Sequence, residues 1–430
     1  MIWLVVGYMF MFIFRPFEYW EVLGDFRLER IYMIFLLICV FFDQRKRYIH
    51  DSANAAVIGF SLIMLLSAAM AYNQEAALST AFNYYKLVIF YFVLVLSVRD
   101  EEQLKLFIFA YICIMLVYVG KSSWEFFLND RYIWRMGIKR MVGIDQTYGD
   151  PNAFAASIVY SLPFVWALIR FRLDKAWQRL ALWFYGLLAI VSIVFTGSRS
   201  GMATLLLFFV LLWVWGRRKF VGLIALFMLL GATWTAMPET LQWRFESIYD
   251  EEVGPSSAQA SAQGRLTGFK QGILLLKEYP VMGIGPGNFQ YGWQDGRIAN
   301  AHNLYGQVMG EYGSVGTAAF VLMLLTITFG HKKIIRRVDD FNETLAVCNH
   351  TNSVYFSKII KKMYFFRLLS IASLQTMILM LFKGWGDHNL YRYNWLWVGA
   401  IAVLIAFFLD KIERENSVKR VSQCNVEINA

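Results

Sequence analysis

Residues 302–330 have the sequence HNLYGQVMGEYGSVGTAAFVLMLLTITFG, in which a polar start leads into a long apolar run. A membrane-spanning helix needs about 20 mostly apolar residues. The rest of the chain is similar, since 58% of its 430 residues are hydrophobic and 17% are charged. Soluble domains are about 45–50% apolar and about 25% charged. We therefore expect an all-α polytopic membrane protein that forms a single integral membrane domain over residues 1–430.

Apolar runs separated by charged breaks predict about twelve transmembrane helices, of which the first two are short. They lie near 1–14, 30–42, 53–71, 80–98, 103–120, 152–171, 177–196, 200–216, 219–236, 302–330, 364–382 and 393–409. The apolar start lacks a preceding basic segment and a small-residue cleavage site. It is therefore expected to be the first span rather than a cleavable leader.

Lysine and arginine are concentrated in segments that share one side of the membrane if the N-terminus is inside. These segments are 45–47, 170–179, 217–219, the loop 331–363 and the tail 410–430. The positive-inside rule then predicts that both termini are cytoplasmic, and that the large loop 237–301 before span ten lies on the other side. The same distribution accounts for the net charge of +10, so we do not expect nucleic-acid binding.

The predicted outer loop 121–151 opposes this rule because it carries five basic residues. They are Lys121, Arg131, Arg135, Lys139 and Arg140. A long outer loop is less constrained by the rule. Two interpretations remain open at this stage: a solvated surface loop, or a basic surface that attracts phosphate.

Five side chains are predicted to converge on the non-cytoplasmic face. Arg199 lies in a tight turn between two spans, Arg265 in the large loop, and His302 at the start of span ten. Asp387 and His388 lie in the last outer loop. Ionisable residues at the mouth of an apolar bundle are functional candidates.

His302 can be either an ordinary interfacial residue or a proton acceptor. A neutral imidazole accepts a proton near pH 7, which is the task of a general base. Glu311 follows on the same helix, where it could orient the imidazole or pair with a basic residue. The functional interpretation of His302 is favoured, because ionisable residues at membrane depth are functional candidates.

Arg199 and Arg265 suit a diphosphate. The planar guanidinium binds phosphate oxygens through two parallel hydrogen bonds. Two such groups can stabilise the charge that develops on a phosphate leaving group. The alternative for Arg199 is a membrane anchor that extends its charge to the interface. The metal-binding and nucleotide-binding patterns that we looked for are lacking, so we expect neither a metal nor another cofactor.

The large outer loop has three parts. Residues 251–264 are flexible by composition. Residues 265–276 have apolar side chains near helical spacing, which predicts an interfacial amphipathic helix that ends before Pro280. Residues 283–289, GIGPGNF, lack the strand and the GK[ST] of a nucleotide loop. We expect instead a chain reversal that places His302 beside the helix carrying Arg265.

The order of these motifs resembles the O-antigen ligase and polymerase superfamily of bacterial envelopes. The resemblance rests on TGSRSG at 196–201, QGR at 263–265, KEYPVMGIGPGNF at 277–289 and AHNLYGQVMGEYG at 301–313. The segment YGDPNAFA at 148–155, which contains Asp150 and Asn152, fits a more variable part of the family. The resemblance covers about residues 145–325 by motif and the whole chain by topology.

The resemblance implies a membrane glycan transferase. Such proteins move a glycan from undecaprenyl pyrophosphate to an acceptor hydroxyl at the periplasmic face of the bacterial inner membrane, without metal. The acceptor is lipid A–core in ligases, a growing glycan in polymerases and a protein hydroxyl in related enzymes. By resemblance, Arg199 and Arg265 bind the diphosphate and His302 activates the acceptor.

Two departures and two other function classes remain. The outer loop is shorter than in some relatives, and Asp387–His388 matches no family motif. That pair is either ordinary surface or a second acid–base or acceptor contact.

Besides an O-antigen ligase-like enzyme, the sequence leaves open a repeat-unit polymerase and a transporter or flippase. A transporter would show inverted repeats and ionisable residues at mid-membrane, which we do not find in the sequence pattern.

Overall fold

The computed structural model describes the chain except for a set of short segments. These are 21–22, 24–25, 47, 136, 146–148, 217–219, 221–223, 225–227, 229–230, 232–233, 236–238, 247–255, 348–353 and 429–430. Every structural statement below concerns the remaining residues.

The described part of the chain is almost entirely α-helical. The helices are α1 (Ile2–Phe14), α2 (Pro16–Tyr19), α3 (Leu28–Phe42), α4 (Ser52–Ala69), α5 (Gln74–Ser97), α6 (Glu101–Leu128), α7 (Pro151–Phe171), α8 (Ala176–Phe195), α9 (Arg199–Trp215), α10 (Glu239–Glu246), α11 (Ser256–Glu278), α12 (Leu304–Val347), α13 (Val354–Gly384) and α14 (Tyr393–Ile428). One antiparallel hairpin, β1 (Ile133–Arg135) and β2 (Ile138–Arg140), lies between α6 and α7.

Eight of the described helices are long and apolar enough to cross a membrane, and α9 is a shorter apolar helix. The prediction of an all-α polytopic membrane protein is therefore confirmed. Each predicted span that falls on described residues coincides with a helix, although α1 and α3 have only 13 and 15 residues. The predicted span 219–236 lies largely outside the described residues.

Several polar residues that interrupt the apolar runs cap the helices. Asp51 accepts a hydrogen bond from the backbone N of Ala53 at 2.8 Å. Asn73 accepts one from the N of Ala76 at 3.1 Å. Such caps satisfy backbone donors that the first helical turn leaves without a partner. Asp51 and Asn73 therefore mark where α4 and α5 begin.

Three helices form the interior of the bundle, while α8 faces outward. Helices α7, α13 and α14 are the most buried of the candidate spans. Trp397 of α14 packs against the ring of Tyr393 at 4.5 Å and against that of Phe107 at 5.5 Å. On α8, Trp183 and Leu187 are each 64% exposed. Exposed apolar side chains of this size indicate a surface that contacts lipid.

Several segments expected as loops are helical. Helices α12 and α13 occupy most of 331–363, and α14 continues through most of 410–430. The segment 251–264 was expected to be flexible, but α11 already begins at Ser256. Residues 121–128 belong to α6 rather than to an outer loop. At 121–128, 331–363 and 410–430 charged residues broke the apolar pattern, yet lysine, arginine and glutamate are good helix formers and the helices run on beyond the apolar stretch. Residues 256–264 contain no charge, and their serine and glycine content indicated flexibility there.

Helix α11 lies directly against the start of α12. A Cβ on Gly268 would lie 1.8 Å from the carbonyl oxygen of Ala301, and one on Gly272 would lie 2.3 Å from that of Gly306. Only glycine permits this approach, and close small-residue contacts are typical of membrane helix pairs. The expected helix after residue 265 is thus present. It packs on the segment that carries His302, and it ends at Glu278, before Pro280.

The glycine turn at 283–289 reverses the chain, as expected, and is tied to a break in α12. Gly313 interrupts α12 with non-helical φ and ψ of 61° and −157°. Backbone N atoms of Ile284 and Gly285 donate to the carbonyl oxygens of Gly310 and Glu311 at 3.0 and 2.9 Å. These bonds fix the turn against α12 and so fix the path of α11.

Candidate functional site

Arg199 is the first residue of α9. Ser198 caps this helix by accepting from the N of Gly201 at 3.1 Å, and its hydroxyl donates to Oδ1 of Asn152 at 2.7 Å. Nε of Arg140 donates to the carbonyl oxygen of Thr196 at 2.7 Å. The turn before Arg199 is therefore held rigidly from two sides. The N-terminus of a helix also favours anions.

Lys383, near the end of α13, connects the turn to the last outer loop. Its Nζ is buried and donates to Oγ of Ser200 at 2.7 Å. The same Nζ lies 3.8 Å from Oδ2 of Asp387. Burial alone would raise the pKa of the Asp387 carboxyl, but the cations Lys383 and Arg392 lower it below its usual range. Asp387 is therefore an anion among cations.

Arg265 lies on α11 with its guanidinium against Gly386. A Cβ on Gly386 would lie 3.0 Å from Nε of Arg265. The charges of Arg265 and Arg199 are close enough to repel each other, and Asp387 attracts Arg265. Among the residues that the structure describes, Arg265 forms no ion pair within 4 Å. Two nearby cations of this kind suit a ligand with two negative charges.

His302 is held in a strained backbone conformation just before α12. Its φ is 45°, in the left-handed region that non-glycine residues seldom adopt. The next residue, Asn303, caps α12 by accepting from the N of Gly306 at 2.9 Å. The Asn303 amide also donates to the carbonyl oxygen of Trp385 at 3.1 Å. The strained residue is thus fixed to the loop that carries Asp387.

The rings of His302 and His388 form an edge-to-face pair, with centroids 5.2 Å apart. The His302 side chain is exposed to solvent, yet the surrounding protein desolvates it enough to lower its pKa below the ordinary histidine value. His388 lowers it further, while Asp387 opposes this effect. His302 is therefore a neutral imidazole at pH 7, the form that accepts a proton.

The structure brings together the three residues singled out in the sequence. Arg265 interacts electrostatically with both Arg199 and His302. The pair Asp387 and His388, which matched no motif, belongs to the same group. The pair therefore lies beside the other three residues, and its functional role stays a prediction.

Three other sequence candidates have supporting positions. Asp150 caps α7 by accepting from the N of Asn152 at 2.8 Å, and its charge reaches His302. Asn152 accepts hydrogen bonds from Ser198 and Arg140. Glu311 is 1% exposed and accepts hydrogen bonds from Tyr391 and Gln307. Glu311 was expected to orient the imidazole or to pair with a basic residue; instead its carboxylate accepts from Tyr391 and Gln307, and among the described residues it has no salt-bridge partner within 4 Å.

The basic residues of 121–151 are mostly occupied with structural contacts. Lys121 pairs with Glu125 at 2.6 Å, and Lys139 with Asp130 at 3.2 Å. Arg131 donates to the carbonyl oxygen of Ile144. Arg140 is 1% exposed. Arg135 and Lys139 are exposed, so the choice between a solvated loop and a phosphate-attracting surface stays a prediction for them.

Three residues of the site were not predicted from the sequence: Lys383, Gly386 and Arg392. Lys383 and Arg392 flank the last outer loop, at the ends of two long apolar runs. A charged residue in that position is a functional candidate in its own right. Nothing in the sequence indicates that Gly386 faces a guanidinium, because that contact depends on the packing of α11.

Two cavities adjoin this group of residues from different sides. The first, the apolar cavity, measures about 500 Å³ and is lined by residues that include Phe269, Leu304 and Trp385. The second, the polar cavity, measures about 490 Å³ and is lined by residues that include His388 and Arg392. One space suits a hydrocarbon chain and the other a polar molecule.

Residues 184–321 match the family described as O-antigen ligase. The matched region contains Arg199, Arg265 and His302 and stops before the loop with Asp387. No curated protein matches the chain. The family indicates a bacterial membrane protein that processes glycans. The glycine turn, the two arginines and the histidine thus lie in the region that matches the O-antigen ligase family, which supports the resemblance to that superfamily.

Proposed function

We propose that the protein transfers a glycan from undecaprenyl pyrophosphate to an acceptor hydroxyl at the periplasmic face, as an O-antigen ligase-like enzyme. The observation that carries this proposal is the position of Arg265. Its guanidinium lies against Gly386, and its charge interacts with both Arg199 and His302. A diphosphate bound by the arginines would have its glycosidic carbon near the imidazole.

The reaction is a single displacement that inverts the anomeric carbon. The acceptor oxygen forms a bond to this carbon, while the bond from carbon to the phosphate oxygen breaks. His302 takes the hydroxyl proton. The lipid pyrophosphate leaves with its new negative charge next to Arg199 and Arg265, which supply the charge stabilisation. The scheme assigns no role to a metal or another cofactor.

The apolar cavity supports a lipid-linked donor. Phe269 follows Arg265 by one helical turn, and its ring lies 5.4 Å from that of Trp385. Trp385 is adjacent to Gly386. A polyprenyl chain in the apolar cavity would therefore have its pyrophosphate at Arg265. The hydrophobic effect contributes about 0.8 kcal/mol per buried CH₂ group.

The distribution of charge supports the sidedness of the reaction. In the predicted order of spans, the basic segments 45–47 and 331–363 lie on the opposite side of the membrane from the candidate site. By the positive-inside rule they are cytoplasmic, as are both termini. The site at Arg199, Arg265 and His302 would then face the periplasm, where lipid-linked glycans are transferred.

The purified full chain in lipid nanodiscs provides the test. An undecaprenyl-pyrophosphate-linked glycan is added with an acceptor, and the release of undecaprenyl pyrophosphate and the glycosylated product are measured. His302→Ala should lose about 10²–10⁴ in rate, which is the usual contribution of a general base. Arg265→Lys should lose about 10²–10³, because a point charge replaces the planar fork.

His50→Ala is the matched control, since His50 is exposed and lies in a different segment. It should retain the wild-type rate. Transfer by His302→Ala at the wild-type rate would refute the base assignment. Movement of intact donor across the membrane of sealed proteoliposomes, without release of pyrophosphate, would indicate a flippase. The product distinguishes the remaining alternatives: lipid A–core that carries glycan indicates a ligase, and elongated carrier-linked glycan indicates a polymerase.

A further inference from the structure

The polar cavity differs in chemistry from the rest of the bundle. Its lining includes three cationic side chains, Arg15, Lys86 and Arg392, and one acidic side chain, Glu29. Thr80 and Asn83 add polar groups. Because Arg15 is paired with Glu18, the positive charge of the cavity comes mainly from Lys86 and Arg392.

Short helices create this cavity. Helix α1 has 13 residues and α3 has 15, so each is only about 20 Å long at the usual rise per residue. The hydrocarbon core of a bilayer is about 30 Å thick. Arg15 follows the end of α1, and Glu29 lies in the first turn of α3. Polar groups thus reach a depth that longer helices would close with apolar side chains.

Lys86 lies half-way along the candidate span α5. Its Nζ donates to Oδ1 of Asn83 at 3.2 Å and lies 5.1 Å from the centre of the Phe82 ring. Within the described part of the chain it forms no ion pair. A half-buried lysine in a span without a carboxylate partner is costly, which makes Lys86 a candidate to bind an anion.

The opposite end of the polar cavity reaches the reacting groups. His388 lines the cavity and forms the ring pair with His302. Arg392 lies beside it and donates to Oγ of Ser157 at 3.1 Å. A molecule that fills the cavity would therefore contact His388, whose ring lies against that of His302.

We propose that the polar cavity binds the acceptor, and that this acceptor is a saccharide with carboxylate or phosphate groups. Lys86 holds an acidic group of the acceptor. His388 contacts its reacting end and turns the hydroxyl towards His302. This inference rests on the proposed glycan transfer, because it assigns the second substrate of that reaction to a space that the arginines do not line.

Binding measurements on the full chain in lipid nanodiscs test this inference with three probes. Trigalacturonic acid is the anionic saccharide, maltotriose is the neutral saccharide of the same length, and undecaprenyl pyrophosphate reports the donor side. The wild type should bind trigalacturonic acid more tightly than maltotriose. Lys86→Met should weaken trigalacturonic acid binding at least about tenfold, the cost of losing a charge-assisted hydrogen bond.

Two variants make the result specific. Lys139→Met removes a basic residue that is paired with Asp130 on the hairpin outside the cavity, and should leave all three affinities unchanged. Arg265→Ala should weaken binding of undecaprenyl pyrophosphate and leave trigalacturonic acid binding intact.

Equal binding of the two saccharides, or an equal loss with Lys139→Met, would overturn the assignment of an acidic acceptor to this cavity. If Arg265→Ala leaves the affinity for undecaprenyl pyrophosphate unchanged, that result would instead count against the proposed function. The two failures are therefore separate observations.

Discussion

The contact between Gly268 and Ala301 should control the position of Arg265, three residues earlier on α11. A Cβ on Gly268 would lie 1.8 Å from the carbonyl oxygen of Ala301, and both partners are backbone. Real Cβ atoms essentially never come within 3.0 Å of another heavy atom. Gly268→Ala therefore has to move α11 away from His302 by at least about 1 Å, a displacement that can lower a rate about 10²-fold when it separates reacting groups.

Gly264→Ala is the matched control. Gly264 lies one turn earlier on the same helix, and a Cβ there would meet nothing within 4 Å. It adds the same methyl group and raises helix propensity by the same amount, about 1 kcal/mol. A loss that appears only with Gly268→Ala thus reports the displacement and not the helix.

The assay compares kcat/KM for the lipid-linked donor in the two variants, after size-exclusion chromatography has shown equal amounts of monodisperse protein. Gly268→Ala should fall by about 10²-fold, while Gly264→Ala should match the wild type. Equal kcat/KM in both variants would refute the argument that the distance between α11 and α12 sets the geometry of Arg265 and His302.

Much of the fold was predictable because hydrophobicity determines membrane helices. Apolar runs placed each described span to within a few residues, with the clearest misses at charged ends such as 331–363, which continue as helix. A hydropathy pattern detects where lipid contact ends. It does not detect where backbone hydrogen bonding ends, and α12 and α14 extend well beyond the apolar part.

The candidate site was predictable in part. Arg199, Arg265 and His302 could be placed on one face because span parity assigns a side to each loop. Their proximity could not be derived, since it depends on the glycine contacts of α11 and on the bonds that fix the glycine turn to α12.

Other members of the site depend on tertiary packing that no local pattern encodes. Lys383 looked like the end of a span, but the structure buries it between Ser200 and Asp387. Glu311 looked like a partner for His302, but the break at Gly313 and the glycine turn surround it with Tyr391 and Gln307. Side chains in the first turns of one helix can thus face different parts of the molecule.

Two further predictions concern the loop before α14. Tyr391→Phe removes a hydroxyl that donates to buried Glu311 and accepts from the N of Gly287 at 3.2 Å. It should therefore reduce stability by about 1–3 kcal/mol, seen as a lower Tm in a thermal-unfolding assay, and an unchanged Tm would contradict the role of this bond. His388→Ala should move the acid limb of the pH profile of kcat/KM to higher pH. Desolvation by burial is the largest cause of the lowered pKa of His302, and His388 is the next. Asp387 and Asp150 raise this pKa, and Arg265 lowers it. A base with a lowered pKa stays neutral at pH 7 and loses its function only as the pH falls through that lowered value. Removing the His388 ring takes away its electrostatic effect on His302 and part of the burial of His302. Both changes raise the pKa of His302. An acid limb that stays in place or moves to lower pH would show that the group titrating in the rate is not His302 beside His388.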